Sequence, residues 1–157
     1  MRPLEPGQEL RPLVIESVDP GAMKTMAVLL RDPNPIHWDT AVVAGLGLGT
    51  QPINQGPINV SYLVELAVQA AGGIAGVRRF GVRFLANVVA GDRVVCTGRV
   101  VSCDDQAGTA ELELTAAVGE RPVLAGTATV ALRRAAPGDP HDPSFGTEES
   151  ERHEGQR

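Results

Sequence analysis

At 157 residues the chain supports one domain of ordinary size, and its 43% hydrophobic content suits a globular protein rather than a polar unfolded one. The net charge of −5 is uneven: from 137 onward six acids (Asp139, Asp142, Glu148, Glu149, Glu151, Glu154) face Arg152 and Arg157, a balance of −4. The near-neutral remainder offers no basic stripe for nucleic acid, no apolar run near the ~18 residues of a membrane span, and no apolar stretch behind Arg2 that would make a signal peptide.

In chain order, residues 10–18 read as a short strand ended by Asp19-Pro20-Gly21, and residues 22–30 (AMKTMAVLL) as a short helix of good helix formers. Pro33 and Pro35 then stop any helix, because a residue before proline is pushed to extended geometry. Another helical turn is expected at 40–44. The longest helical pattern, 57–71, begins with Pro57, whose missing N–H costs nothing in a first turn. Val60, Leu63, Val64, Ala67 and Ala71 form its stripe, and Leu66, Val68 and Ala70 widen it. A helix apolar over so much of its circumference is expected to be wrapped by other structure.

Strands follow: 79–89, 93–102, 109–118 and 123–132, separated by Gly91-Asp92, the turn 104–108 and Gly119-Glu120. In 109–118 Ala110, Leu112, Leu114, Ala116 and Val118 alternate with Glu111, Glu113 and Thr115, the period of a sheet with one wet face. Residues 135–157 lack periodicity and read as a disordered acidic tail behind a domain spanning 1–134. One helix cradled by an antiparallel sheet, an α+β arrangement, is the economical solution. Scarce aromatics, 3%, leave the core to Val, Leu, Ile and Ala. Cys96 and Cys103 lie an odd number of residues apart in one expected strand and should point to opposite faces, which argues against a bridge and for a reduced, cytoplasmic protein.

The chemistry concentrates in Asp32-Pro33-Asn34-Pro35-Ile36-His37, where two prolines stiffen a loop holding a carboxylate, an amide and an imidazole within six residues. The other histidines, His141 and His153, lie in the polar tail. A carboxylate and an imidazole sharing one water could deprotonate it and return a proton elsewhere. On the residues alone a blander reading stands beside this one: Asp32 caps a turn and His37 is a satisfied interior side chain. No metal site is expected. Asp32, Asn34 and Asp39 are oxygen ligands, but Ile36 occupies a ligand position of an EF-hand loop, and too few His or Cys remain for a transition metal. Gly45-Leu46-Gly47-Leu48-Gly49-Thr50 lacks the final glycine and preceding strand of a nucleotide fingerprint, so it reads as a flexible loop or a point of close ligand approach. At Gln55-Gly56-Pro57 the proline has no N–H, which leaves Gly56 as the exposed donor at a helix start. That donor could bind a carbonyl oxygen turning into an enolate, or be simple helix-start chemistry.

The motif D-x-N-P-x-H at 32–37, then Ala44-Gly45, Ile53-Asn54-Gln55-Gly56, and Phe84-Leu85-Ala86-Asn87-Val88-Val89-Ala90-Gly91-Asp92, resembles the MaoC-like (R)-specific enoyl-CoA hydratases and dehydratases over residues 8–134. The resemblance implies a hot-dog fold, a long helix wrapped by a curved antiparallel sheet. It implies that Asp32 and His37 hold a catalytic water, that Asn34 shapes the loop, and that the Gly56 N–H polarises a thioester carbonyl. The implied reaction adds water to a 2-enoyl thioester of CoA or acyl-carrier protein, or removes it from the 3-hydroxy compound, with no metal or redox cofactor. An accessory non-catalytic hot-dog subunit and a hot-dog thioesterase share the same fold and remain alternatives. Edge-to-edge pairing is implied too, as a homodimer or with a second hot-dog chain. Four places depart from the family pattern: Leu30-Arg31 stands for a small residue and glycine, Gly56-Pro57 for Gly-Met, Asn87 for a frequent proline, and the interval from His37 to Gly56 is one residue longer.

Overall fold

The computed structural model describes residues 3–132. The expected tail, 135–157, and the domain limit at 134 lie outside the described residues. Strand β1 (Leu13–Ile15) leads through α1 (Pro20–Leu30), a 3-10 turn (Pro35–His37) and α2 (Thr40–Gly45) to the long α3 (Gly56–Ala71). A second 3-10 turn (Ile74–Gly76) precedes β2 (Val77–Phe84), β3 (Val94–Asp104), β4 (Thr109–Val118) and β5 (Arg121–Ala131). The five strands form one sheet in the order β1-β3-β4-β5-β2, antiparallel at every pairing, and α3 packs on it.

Why the sheet can close on a helix is visible around Leu114. Its register partners are Gly98 on β3 and Gly126 on β5, so the central strand's leucine is flanked by two residues without side chains. A Cβ at Gly126 would lie 3.1 Å from Leu63 Cδ1 of α3, and one at Gly98 would meet Leu114 Cδ2 at 2.7 Å and Leu10 Cδ1 at 3.0 Å. The glycines thus make the hollow into which Leu63 and Leu10 reach. Leu63, Leu66, Ala67 and Ala71 of α3 are buried there, with Leu112, Leu114, Leu124 and Val130 of the sheet. Each fully buried leucine contributes about 1.5–3 kcal/mol by leaving water.

Several expected boundaries shift, each for a local reason. The strand expected at 10–18 shortens to Leu13–Ile15, because Pro12 cannot donate to the ladder. Its upstream segment still pairs with β3: Gly7 N–H reaches Val100 O at 2.8 Å and Leu10 N–H reaches Gly98 O at 2.8 Å. Helix α1 starts two residues before the expected 22, since Asp19 accepts from Gly21 N–H at 2.7 Å and Pro20 fits the first turn. The regular strand expected at 79–89 ends at Phe84: Leu85 and Ala86 N–H still reach Val123 O of β5, and residues 88–89 then pair with 53–54. The buried stripe of α3 is also rotated from expectation. It runs through Asn59, Leu63, Leu66, Ala67 and Ala71, while Val60 and Val64 face an outer groove beside Phe84.

The cysteines do not face opposite sides. A bulge between Val100 and Ser102 adds one residue to β3, so Cys103 returns to the core face that Cys96 occupies. Both are free thiols, separated by roughly 20 Å of strand. Among the described residues no helix is long and apolar enough to cross a membrane.

Burial pushes the Cys96 thiol up to about 11 from 9.0. Between those values the native chain keeps a proton that the unfolded chain has released, so stability must fall as pH rises through the window. The Tyr62 phenol, raised above 10.0 chiefly by burial, extends the fall at the upper end. We expect the melting temperature to drop from pH 9 to 11, and the drop to be shallower in Cys96→Ala. Equal slopes in the two proteins would show that Cys96 does not carry the effect.

Candidate active site

The segment 30–37 is built from its own side chains. Helix α1 ends at Arg31, which sits in the left-handed region with φ 51°, and this bend lets Asp32 N–H reach back to Ala27 O at 2.9 Å. Asp32 Oδ1 then accepts from Asn34 N–H at 3.0 Å, and Asn34 Oδ1 accepts from Ile36 N–H at 3.3 Å. Asn34 is therefore the cap of the 3-10 turn that ends on His37. Asp39, weighed above as an oxygen ligand, caps α2 through Ala41 and Val42 N–H.

These turns bring the two ionisable groups together. His37 Nε2 lies 3.3 Å from Asp32 Oδ2, with side chains 11% and 30% exposed. The other ring nitrogen, Nδ1, is 2.6 Å from Ile53 O. A carbonyl oxygen can only accept, so Nδ1 carries a proton, and Nε2 is the ring nitrogen that can give up or take on a proton beside the Asp32 carboxylate. With Nε2 unprotonated, a water lying beside the pair can donate to one group and pass its proton to the other. Asp32 divides its work: Oδ1 holds the turn and Oδ2 faces the imidazole.

Three chain segments are braided to form the adjoining cleft. Ile53 N–H bonds Ile36 O at 2.9 Å, and Asn54 N–H bonds Val88 O at 2.8 Å. The cleft, about 410 Å³, is lined by His37, Asn54, Gly56, Asn59 and Phe84 among others. Asp32 lines a second groove, with Lys24, Arg31 and Trp38. Gly56 opens α3, and a Cβ there would lie 3.3 Å from the Phe84 ring, so glycine keeps the ring close and the amide reachable. Among the described residues the Gly56 N–H has no acceptor. The glycines of the 45–50 loop stand apart: Gly47 and Gly49 take positive φ with open space around them, which is turn geometry and not close approach.

His37, Asp32, Asn34 and Gly56, the residues expected from sequence, all lie in or beside this place, and a buried polar group that was not expected adjoins them. Asn54, Gln55 and Asn59 are 3%, 1% and 4% exposed. Asn54 Nδ2 donates to Asn59 Oδ1 at 2.7 Å and more weakly to Tyr62 Oη at 3.4 Å, and Gln55 Nε2 donates to Met23 O at 2.7 Å, tying the start of α3 to α1. The signal was present in the sequence, since Asn59 lies four residues before Leu63 and thus within the apolar stripe of α3.

A family model described as the MaoC-like domain matches residues 4–134. The chain belongs to that family. The (R)-hydratase from A. caviae involved in PHA biosynthesis is similar at TM-score 0.73 and 26% identity, over 83% of this chain and 98% of that one. A chain of the ChsH1–ChsH2 complex from Mycobacterium tuberculosis matches at TM-score 0.72 and 19% identity, over 82% and 98%. A point mutant of the fluoroacetyl-CoA-specific thioesterase FlK matches at TM-score 0.58 and 14% identity, over 83% and 88%. The last two likenesses are of fold alone. No curated protein matches the chain in sequence. This MaoC-like chain has the hot-dog architecture that its motifs implied.

The left-handed Arg31 stands where the family pattern has glycine. An L-residue in that conformation costs about 1–2 kcal/mol, part of which glycine returns through its freer unfolded state. Arg31→Gly should therefore raise stability by about 0.5–1 kcal/mol in chemical denaturation. A lower midpoint would mean the guanidinium makes a compensating contact.

Proposed function

We propose that this MaoC-like chain is a hydratase/dehydratase that interconverts a 2-enoyl thioester and its 3-hydroxyacyl thioester. The observation that carries the reading is the Asp32–His37 pair, with Nδ1 occupied by Ile53 O, beside a cleft that also holds the unpartnered Gly56 N–H. In hydration, the pair removes a proton from a water as its oxygen bonds to C3. The double bond shifts its electrons toward the thioester carbonyl, whose oxygen becomes an enolate at the Gly56 N–H. The proton returns to C2, so that water is added with no net redox change and no electron carrier is required. Asn34 acts by holding the turn that sets the Asp32–His37 separation. CoA or an acyl-carrier protein arrives as part of the substrate.

The test is hydration of crotonyl-CoA, followed as loss of the enoyl thioester, beside a measurement of free thiol. Loss of the enoyl group without thiol release is the expected result, whereas thiol release would favour a thioesterase. Activity seen only with a second hot-dog chain supplying its own pair would favour an accessory subunit. Asp32→Asn and His37→Gln should each lower kcat by about 10²-fold or more with the fold retained, and the double variant should be little worse. A single variant that keeps near-normal turnover would defeat the shared-water mechanism.

The same reading includes assembly. Strand β2 is an edge of the sheet, and beside it Pro57, Val60, Val64 and Phe84 line an apolar groove. Phe84 and Leu85 are 52% and 43% exposed. An unpaired edge flanked by apolar surface recruits another strand, and two-fold self-association is the commonest solution. A dimer through β2 is the expected state by light scattering, with a second hot-dog chain as the alternative partner. A fully active monomer would refute it.

A further inference from the structure

Beyond the backbone amides that a helix start leaves free, a side-chain donor stands without an acceptor on the first turn of α3. Asn59 uses Oδ1 to accept from Asn54 Nδ2 at 2.7 Å, and this fixes which way its carboxamide faces. Its Nδ2, with two N–H groups, has no acceptor among the described residues and is not among the fully occluded unpartnered atoms, which are Asn54 Oδ1 and Gln55 Oε1. The residue is 4% exposed and lines the cleft with His37 and Gly56. Nδ2 therefore meets that cleft. Buried amides are ordinarily satisfied, so a free one that lines a cavity marks a place for an acceptor from outside the chain.

Helical geometry says which acceptor. Side chains on a helix lean toward its N-terminus, and residues three apart lie on one face. Asn59 is three residues after Gly56, and its bond to Asn54, which precedes the helix, shows that it leans this way. The carboxamide is thus brought back over the turn that carries the Gly56 N–H. A carbonyl oxygen has two lone pairs and becomes fully anionic in an enolate, so it accepts two donors better than one. The geometry points to Asn59 Nδ2 as a second donor to the thioester carbonyl oxygen, with Asn54 as the positioning residue that holds its orientation. This rests on the enoyl-thioester reading above. Tyr62 Oη, on the other side of Asn54, accepts more weakly from the same Nδ2 at 3.4 Å.

The test separates this role from mere support of the fold. Asn59→Asp keeps an oxygen toward Asn54 and replaces only the donor that faces the cleft, while Asn59→Leu removes the donor without adding charge. Both should lower kcat for crotonyl-CoA hydration by about 10²–10³-fold, with a much smaller change in KM. Binding of butyryl-CoA should weaken in both variants. Binding of S-butyl-CoA, which lacks only the carbonyl oxygen, should stay within about two-fold, since the proposed donor acts on that oxygen alone. In the wild-type protein, whatever the variants do, the ¹⁵N-labelled Asn59 side-chain protons should shift on adding butyryl-CoA and stay in place with S-butyl-CoA. Parallel loss of affinity for both ligands, turnover within about three-fold of wild type, or equal shifts with the two ligands would overturn the assignment. A wild-type chain that shows no hydration but passes the two-ligand comparison would refute the proposed reaction and leave the donor role standing.

Discussion

The fit of α3 into the hollow beside Leu114 is the constraint on which the rest of the molecule depends. Leu63 occupies space that a side chain at Gly126 would close, and Leu10 does the same at Gly98. With the helix seated at that depth, its N-terminal turn has one position. Gly56 then lies against Phe84, and Asn59 falls inside the wall and not on the surface. A larger residue at either glycine would push against leucine or backbone atoms in a densely packed interior, and the displacement would be felt at the far end of α3.

The polar side of the site is held by short-range devices. Left-handed Arg31, the Asp32 and Asn34 turns, and the carbonyl of Ile53 together determine where the imidazole points. None of these is a long-range ion pair. Oriented backbone groups do most of the positioning, leaving Asp32 Oδ2 and His37 Nε2 free of structural duties. That division suits acid–base work, because a proton can enter or leave without undoing the turn that supports the pair.

Much of this was legible in the residues. The period-two pattern of 109–118 located β4 at its observed ends, and the proline-flanked motif located the Asp32–His37 pair. Other features depend on partners distant in sequence, which local patterns do not report. The bulge after Val100, which returns Cys103 to the core face, arises from pairing with β4. The turn of residues 88–90 away from β5 depends on Pro52, Ile53 and Asn54, which pair with them instead. Asn59 was obscured for another reason: the broad apolar surface of α3 allowed the stripe to be centred on Val60 and Val64, one position away from the buried face.

Phe84 joins two parts of the molecule that are usually considered separately. It is the last residue of an edge strand, half exposed, and its ring also rests 3.3 Å from where a Cβ of Gly56 would be. A strand added beside β2 would therefore end next to the ring that walls the cleft. In the proposed dimer, assembly and the shape of the cleft would be coupled through this one aromatic side chain, and the cleft would then respond to protein concentration.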